Sequence, residues 1–103
     1  MTSVVFTQGA LNDLQRIKMA LLKRGDVATH NVGLMISDYI SVLEMDPTIC
    51  EFFDEEKNIR LSRLPFGASS YVFMYNYELE TDIVLVLAAF YEKDQWCATI
   101  KSA

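Results

Sequence analysis

Few side chains in this sequence are of the types that carry out chemistry or bind metals. The two cysteines, Cys50 and Cys97, have no metal-ligand spacing, and the single histidine, His30, cannot complete a zinc site with them. Free thiols in a reducing compartment are the simplest interpretation of the cysteines. His30 falls on a predicted helix, where an exposed or core-edge side chain is a better interpretation than a general base. We therefore expect no metal ion and no cofactor.

Two arginines on a predicted strand are the first candidates for binding an anion. Arg60 and Arg63 lie in the stretch NIRLSRLP, whose alternation of apolar and polar residues predicts a half-exposed strand. Either guanidinium could hold a phosphate group. Either could instead pair with an acidic side chain such as Glu78, Glu80 or Asp82, or lie against a tyrosine ring. The residues themselves leave both interpretations open.

The charge of the chain argues against direct binding to nucleic acid. Lys and Arg number 9 and Asp and Glu 14, which gives a formal net charge of −5. Proteins that bind nucleic acid on their own are usually basic, because their affinity comes from neutralising phosphates. We therefore expect no direct DNA binding. The acidic cluster of Asp54, Glu55 and Glu56 is interpreted as a solvated loop.

Length and composition indicate one domain spanning residues 1–103. A chain of 103 residues, of which 51% are hydrophobic, can form a single core without metals or disulfides. The N-terminus lacks the pattern of a signal peptide, and the longest apolar run, 83–91, is too short to span a membrane. We expect a cytoplasmic protein without a membrane partner, whose last residues, 97–103, fray.

Two helices are predicted after a first strand at residues 3–7. Thr7 is predicted to cap a helix that ends at Gly25. Its apolar stripe consists of Ala10, Leu14, Ile17 and Leu21, widened by Leu11 and Leu22. Asp26 is predicted to cap a second helix that ends before Pro47. The second stripe consists of Val32, Met35, Tyr39 and Val42, with Leu34 and Leu43 beside it. The very short turn makes the helices antiparallel neighbours.

Three further strands give the predicted order β-αα-βββ. The first is NIRLSRLP; a loop, PFGASS, separates it from YVFMYNY, which a hairpin through ELET joins to DIVLVLAAFY. Helices grouped before strands are typical of α+β proteins. We therefore expect an antiparallel helical hairpin on one face of a small, mostly antiparallel sheet.

Both faces of this predicted sheet are apolar. On the third strand, one face carries Val72 and Met74, and the other carries Tyr71, Phe73 and Tyr75. On the last strand, one face carries Ile83, Leu85 and Leu87, and the other carries Val84, Val86 and Ala88. Two helices cover only one face, and a large apolar patch left over usually marks an interaction site. A protein partner is the favoured cover; the alternatives are the loop at 52–53, the C-terminal tail, or a second copy in an isologous homodimer.

The ordered motifs resemble those of the RelE/ParE superfamily of toxins from type II toxin–antitoxin and plasmid-stabilisation modules. The matching stretches are VVFTQGALNDLQRI, NIRLSRLPFGASSYVFMYNYE and DIVLVLAAFYEKDQW, which extend over almost the whole chain. The resemblance is closest to the ParE-like branch. The residues that carry it are Ala10, Asp13 and Leu14 near the start, and Arg60, Pro65, Phe66, Gly67, Tyr71 and Val72 in the middle.

The resemblance implies a toxin, or a toxin homologue, that a cognate antitoxin neutralises by covering the apolar sheet face. ParE-like members inhibit DNA gyrase by protein contact, whereas RelE-like members cut messenger RNA in the ribosome with clustered Arg and Lys and a Tyr or His. A ParE-like gyrase inhibitor is the favoured interpretation. The alternatives are a RelE-like endoribonuclease and a degenerate, non-toxic member that only binds antitoxin.

The resemblance also implies site residues. The weak catalytic candidates are Arg60, Arg63, Tyr91 and Lys93, and the predicted partner-binding residues are Phe66, Tyr71, Phe73, Tyr75, Phe90, Tyr91 and Trp96. This sequence departs from the ParE-like pattern after its last strand. Phe90 replaces the usual histidine, and Glu92 or Lys93 replaces the usual arginine. Because Phe90 cannot transfer a proton, we expect no ribonuclease activity.

Overall fold

Two helices and five strands make up residues 2–92, the part of the chain that this computed structural model describes. In chain order they are β1 (Ser3–Phe6), α1 (Gln8–Leu22), α2 (Asp26–Met45), β2 (Phe52–Asp54), β3 (Ile59–Phe66), β4 (Ser69–Glu78) and β5 (Ile83–Tyr91). The predicted α+β class and the helical hairpin on one sheet face are confirmed. The predicted fraying of residues 97–103 lies outside the described residues.

The strands form one sheet in the order β1-β5-β4-β3-β2. β1 runs parallel to β5, and the other three pairs are antiparallel, so the prediction of a mostly antiparallel sheet is confirmed. A parallel pair requires a long crossover between its strands. Here the helices and the three intervening strands supply that crossover.

The segment before β3 contains a strand that the sequence interpretation missed. Residues 52–54 pair with β3 through Phe52 opposite Arg60 and Asp54 opposite Ile59, with an irregularity between the two pairs. Three residues are too few to show alternation, which is why the segment was interpreted as a loop. The loop predicted over PFGASS is shorter than expected, because Pro65 and Phe66 belong to β3.

Most of the predicted stripe of α1 lies in the core. Thr7 caps the helix as predicted, since its hydroxyl oxygen accepts the backbone N–H of Ala10 at 3.1 Å. The buried residues are Ala10, Ile17 and Leu21, with Leu14 packed against them. The predicted widening of the stripe is wrong, since Leu11 and Leu22 are 48% and 46% exposed.

The buried stripe of α2 is displaced from the predicted one. Val32, Tyr39 and Leu43 are buried and follow helical spacing, whereas Val42 is 43% and Leu34 54% exposed. The stripe therefore runs through Leu43 rather than Val42. Asp26 is the first helical residue and not the cap; that position belongs to Gly25, whose φ of 111° lies where side chains are disfavoured.

The helix-facing side of the sheet carries the core. β4 contributes Tyr71, Phe73 and Tyr75, and β5 contributes Val84, Val86 and Ala89. The expectation for Ala88 is wrong, because β5 contains a bulge: Tyr75 pairs with Val86 but Met74 pairs with Ala88. The extra residue, Leu87, shifts the alternation, so that Ala89 and not Ala88 faces the helices.

Leu43 and Leu34 of α2 test the position of the buried stripe. Leu43 is fully buried, so Leu43→Ala should lower the free energy of unfolding by about 2–5 kcal/mol through the cavity it leaves. Leu34→Ala deletes the same atoms from an exposed position and should cost about 1 kcal/mol or less. Denaturant unfolding measures both values. Equal losses would contradict the assignment of the stripe.

A carboxylate in the β4–β5 turn makes stability depend on pH. Asp82 accepts hydrogen bonds from the hydroxyls of Thr2 (2.7 Å) and Tyr77 (2.8 Å). These bonds favour the charged form, so the pKa of Asp82 is lowered, chiefly by Thr2 and then by Tyr77. Because the folded pKa lies below the unfolded one, this stabilisation is present at neutral pH. It is lost as the pH falls through the folded pKa.

Replacing this carboxylate by an amide isolates its contribution. Asp82→Asn should lower the Tm at pH 7, since the amide tolerates the φ of 55° but carries no charge. The difference in Tm between the two proteins should shrink below about pH 4, where aspartates take up protons. Thermal unfolding at both pH values tests this. A difference that stays constant with pH would show that the charge of Asp82 has no role.

Candidate functional site

Three of the predicted partner-binding aromatics belong to the core. Tyr71, Phe73 and Tyr75 are 4%, 0% and 0% exposed and lie beneath the helices. The prediction that they contact a partner is wrong, because β4 turns its aromatic face toward the helical hairpin. The opposite face of β4 carries the less bulky Val72 and Met74.

The other predicted partner-binding residues are divided between the two faces. Phe66 and Tyr91 are half-buried against the core, and the Tyr91 hydroxyl donates to the Phe66 carbonyl at 3.0 Å. Phe90 lies on the opposite face, paired with Val72, and is only 7% exposed. Its side chain therefore offers little surface to a partner. Trp96 lies outside the described residues.

Three exposed apolar side chains line a groove between α2 and β3. Leu34 and Val42 of α2 and Ile49 of the following loop are 54%, 43% and 55% exposed. We call this depression of about 730 Å³ the α2–β3 groove. Its other wall is formed by residues 61–64, and its rim carries Asp38 and Glu51. Pockets of roughly 300–1,000 Å³ are large enough for a bound ligand or peptide side chains.

The α2–β3 groove lies beside the part of β3 that β2 does not pair with. β2 pairs with β3 only at Ile59 and Arg60, and the carbonyl of Glu51 then accepts the N–H of Leu61 at 3.2 Å. Leu61 lies opposite Met74, so its side chain belongs to the sheet face that the helices do not cover. The groove is therefore continuous with that apolar face through Leu61.

The sequence contained a signal for this groove that was misinterpreted. α2 carries apolar residues on more of its circumference than one buried stripe requires: Leu34, Val42 and Met45 all lie outside it and are exposed. A helix of this kind exposes a second apolar surface that a partner could bury. Periodicity alone did not separate the two surfaces, and Val42 was assigned to the wrong one.

A hydroxyl cluster forms the floor of the groove. The Tyr39 hydroxyl and the Ser62 hydroxyl lie 2.7 Å apart, and the Cys50 thiol lies 3.0 Å from Ser62. Burial raises the pKa of Tyr39 far above its usual value. Burial likewise raises the pKa of Tyr75, whose hydroxyl donates to the Pro47 carbonyl. Neutral, mutually bonded hydroxyls of this kind hold the structure together and are poorly suited to proton transfer.

Arg60 anchors the loop at the end of the groove. Its Nη1 donates to the carbonyls of Thr48 (3.2 Å) and Cys50 (2.6 Å), and its guanidinium lies 3.9 Å from the ring centroid of Phe52. Its Nε is buried without a hydrogen-bond partner. These contacts fix the guanidinium to the loop and to the Phe52 ring, which favours a structural role for Arg60 over phosphate binding.

The weak catalytic candidates are not brought together. Arg63 lies on the sheet face opposite the helices and forms an ion pair with Glu92 at 3.2 Å. Tyr91 and Arg60 both lie on the helix side of the sheet, opposite Tyr71 and Tyr75 of β4 respectively. Four residues along β4 separate these positions, which is about 13 Å in the strand direction. Lys93 lies outside the described residues, and His30 is exposed on α2. Arg60, Arg63 and Tyr91 therefore do not meet at one point.

Residues 2–92 contain neither a cluster of metal ligands nor a helix that could span a membrane. No group of three or more His, Cys, Asp or Glu side chains could hold a metal ion. No helix in this part of the chain is both long and apolar enough to span a membrane.

The fold is similar to that of the RelE toxin in the crystal structure of the intact E. coli RelBE toxin–antitoxin complex. The TM-score is 0.54, and the match covers 86% of this chain and 94% of the other at 14% sequence identity. At that identity the likeness concerns the fold. No protein-family model and no curated protein matches the sequence.

Arg60 and Arg63 provide a matched test of these placements. Arg60→Ala should destabilise the fold by about 1–3 kcal/mol, because two loop carbonyls lose their charged donor. Arg63→Ala removes a half-exposed ion pair and should cost about 1 kcal/mol or less. Hydrogen exchange should accelerate at residues 48–52 only in the first variant. Equal exchange in both variants would exclude the anchoring role of Arg60.

Proposed function

We propose that this chain is the toxin component, or a toxin homologue, of a two-protein toxin–antitoxin module. The observation that carries the proposal is the fold, which matches the RelE toxin along 86% of this chain. The sequence motifs that resemble the RelE/ParE superfamily support it independently, since they extend over the same elements. A cognate antitoxin is then the expected partner.

The antitoxin segment is proposed to occupy the α2–β3 groove and the sheet face that adjoins it. Leu34, Val42 and Ile49 expose apolar surface that no element of residues 2–92 covers. Burying such surface contributes about 25 cal/mol per Å², which helps to offset the entropy lost when a disordered segment becomes ordered. Asp38 and Glu51 on the rim favour a segment with basic residues beside its apolar ones.

Toxic action is proposed to occur through protein contact, with DNA gyrase as the target. Three observations favour contact over messenger RNA cleavage. Arg60 is committed to loop carbonyls, Arg63 to Glu92, and the net charge of −5 opposes approach to a polyanion. The gyrase assignment itself rests on the resemblance to the ParE-like branch. A cytoplasmic location would follow from that target.

Induced expression tests the proposed action. Growth should arrest with activation of a DNA-damage reporter, and co-expression of the neighbouring small reading frame should relieve the arrest. Arrest without DNA damage, accompanied by cleavage of ribosome-bound message, would replace this proposal by a RelE-like endoribonuclease. Normal growth with retained binding to the neighbour's product would indicate a degenerate, non-toxic member.

Paired glutamate substitutions on α2 test the proposed antitoxin surface. Leu34→Glu combined with Val42→Glu places two charges in the groove and should weaken antitoxin affinity at least about tenfold, since a buried unpaired charge is costly. The control combines Val27→Glu with Met45→Glu, which are 75% and 84% exposed on the same helix but do not line the groove. The control should retain affinity within about threefold.

Calorimetry on purified proteins provides the measurement. Circular dichroism establishes that both double variants remain folded. Equal affinity in the two double variants would show that the antitoxin binds elsewhere. Light scattering of the free chain measures its oligomeric state and so tests the homodimer alternative. If the wild-type chain is a dimer and the Leu34→Glu, Val42→Glu variant is a monomer, a second copy and not the antitoxin covers this surface.

A further inference from the structure

Nearly half of the basic side chains of this acidic protein lie on α1 or directly after it. Of its nine Lys and Arg residues, four lie between positions 16 and 24, namely Arg16, Lys18, Lys23 and Arg24. No Asp or Glu occurs between Asp13 and Asp26. The negative end of the α1 dipole favours cations beside it, which accounts for Lys23 at the C-cap and Arg24 directly after it. It does not account for Arg16, which lies well before the last turn of α1.

Two of these arginines flank a small cavity between α1 and the end of β5. This α1–β5 cavity has a volume of about 110 Å³. Arg16, Ala20 and Arg24 line its helix side, and Tyr71, Ala89 and Tyr91 line its sheet side. Sites for drug-sized ligands are larger, roughly 300–1,000 Å³, so this cavity accepts one small chemical group.

Asp13 fixes the position of the first arginine. One carboxylate oxygen accepts Nη2–H of Arg16 at 2.8 Å, and the other accepts the backbone N–H of Ala89 at 3.1 Å. The carboxylate is thereby satisfied at both oxygens. A guanidinium has five N–H donors, and Arg16 makes no other hydrogen bond to residues 2–92, so it retains donors for a ligand.

Arg24 approaches the cavity from its other end. Its guanidinium carbon lies 5.9 Å from the centroid of the Tyr91 ring, and it forms no ion pair with a carboxylate of residues 2–92. Ala20 occupies the position one turn from each arginine, where its methyl group leaves the mouth open. With Asp13, Arg16 and Arg24 as its charged groups, the cavity has a net positive charge.

We propose that the α1–β5 cavity binds one phosphate group of a small molecule, held between Arg16 and Arg24. Two guanidinium groups with unused donors match the oxygens of a phosphate in geometry and charge. The cavity has no room for a base or a sugar, and the net charge of −5 opposes a polyanion. This proposal is independent of the proposed toxin function.

Titration of isotope-labelled protein with inorganic phosphate, against sodium chloride at equal ionic strength, tests the site. The amides of Ala20, Ala89 and Tyr91 should shift and saturate. Arg16→Gln combined with Arg24→Gln should weaken binding about tenfold or more, because each charge-assisted hydrogen bond contributes substantially. Lys18→Gln combined with Lys23→Gln removes the same charge outside the cavity lining and should change affinity less than about twofold.

A second variant and a second ligand make the test decisive. Ala20→Glu blocks the mouth with a carboxylate while retaining helix propensity, and it should abolish the saturable shifts. Absence of saturation in the wild-type protein, or equal weakening in both double variants, would overturn the proposal. A single-stranded RNA oligonucleotide should fail to compete with phosphate. If it displaced phosphate from the same amides at a lower concentration, the small-molecule assignment would be wrong.

Discussion

The contact of Tyr39 with Phe73 and Ser62 is the interaction on which the rest of the structure depends. The two rings lie with centroids 5.0 Å apart, which joins α2 to β4. The Tyr39 hydroxyl meets Ser62 of β3, and Ser62 in turn meets Cys50 of the loop after α2. The side chain of Tyr39 therefore links α2 to β3 and β4 and, through Ser62, to the loop between α2 and β2. Because its polar end is paired, burying it carries no penalty for an unsatisfied hydroxyl.

This fixed position of α2 explains why the α2–β3 groove exists in the isolated chain. Tyr39 holds the buried stripe of α2 against the centre of the sheet. Leu34 and Val42 are therefore left exposed beside residues 61–64 of β3, where they line the groove. Arg60 holds the loop at the groove's end through two carbonyls and the Phe52 ring. A groove with rigid walls loses little conformational entropy when a partner binds, which favours affinity.

The sequence predicted the elements better than it predicted their surfaces. Thr7 as a helix cap, the helical hairpin and the three long strands follow from local spacing, which a single chain displays directly. The predictions that failed are those about which side of a helix or strand faces the core. Val42 lies one residue from the buried Leu43, and a pattern with apolar residues at both positions does not say which one the sheet will cover.

The candidate site was harder to predict for the same reason. Tyr71, Phe73 and Tyr75 were correctly placed on one face of β4, but which face the helices cover is a property of the whole fold. Arg60 and Arg63 were correctly placed on a strand, but their contacts differ from those expected: Arg63 pairs with Glu92 rather than Glu78, Glu80 or Asp82, and Arg60 lies against Phe52 rather than a tyrosine. The cavity beside Arg16 required contacts between residues 76 positions apart, such as Asp13 with Ala89, that no local pattern encodes.

The bulge at Leu87 has a consequence for comparing this chain with other sequences. Before it, the even positions Val84 and Val86 face the helices; after it, the odd positions Ala89 and Tyr91 do. A comparison that counts residues along β5 without the extra one would equate side chains from opposite sides of the sheet. Deleting the unpaired Leu87 would restore regular alternation and leave Phe90 and Tyr91 on their present faces. The extra residue in β5, as much as the chemical types around it, therefore decides which aromatic side chain is compared with a given position of another sequence.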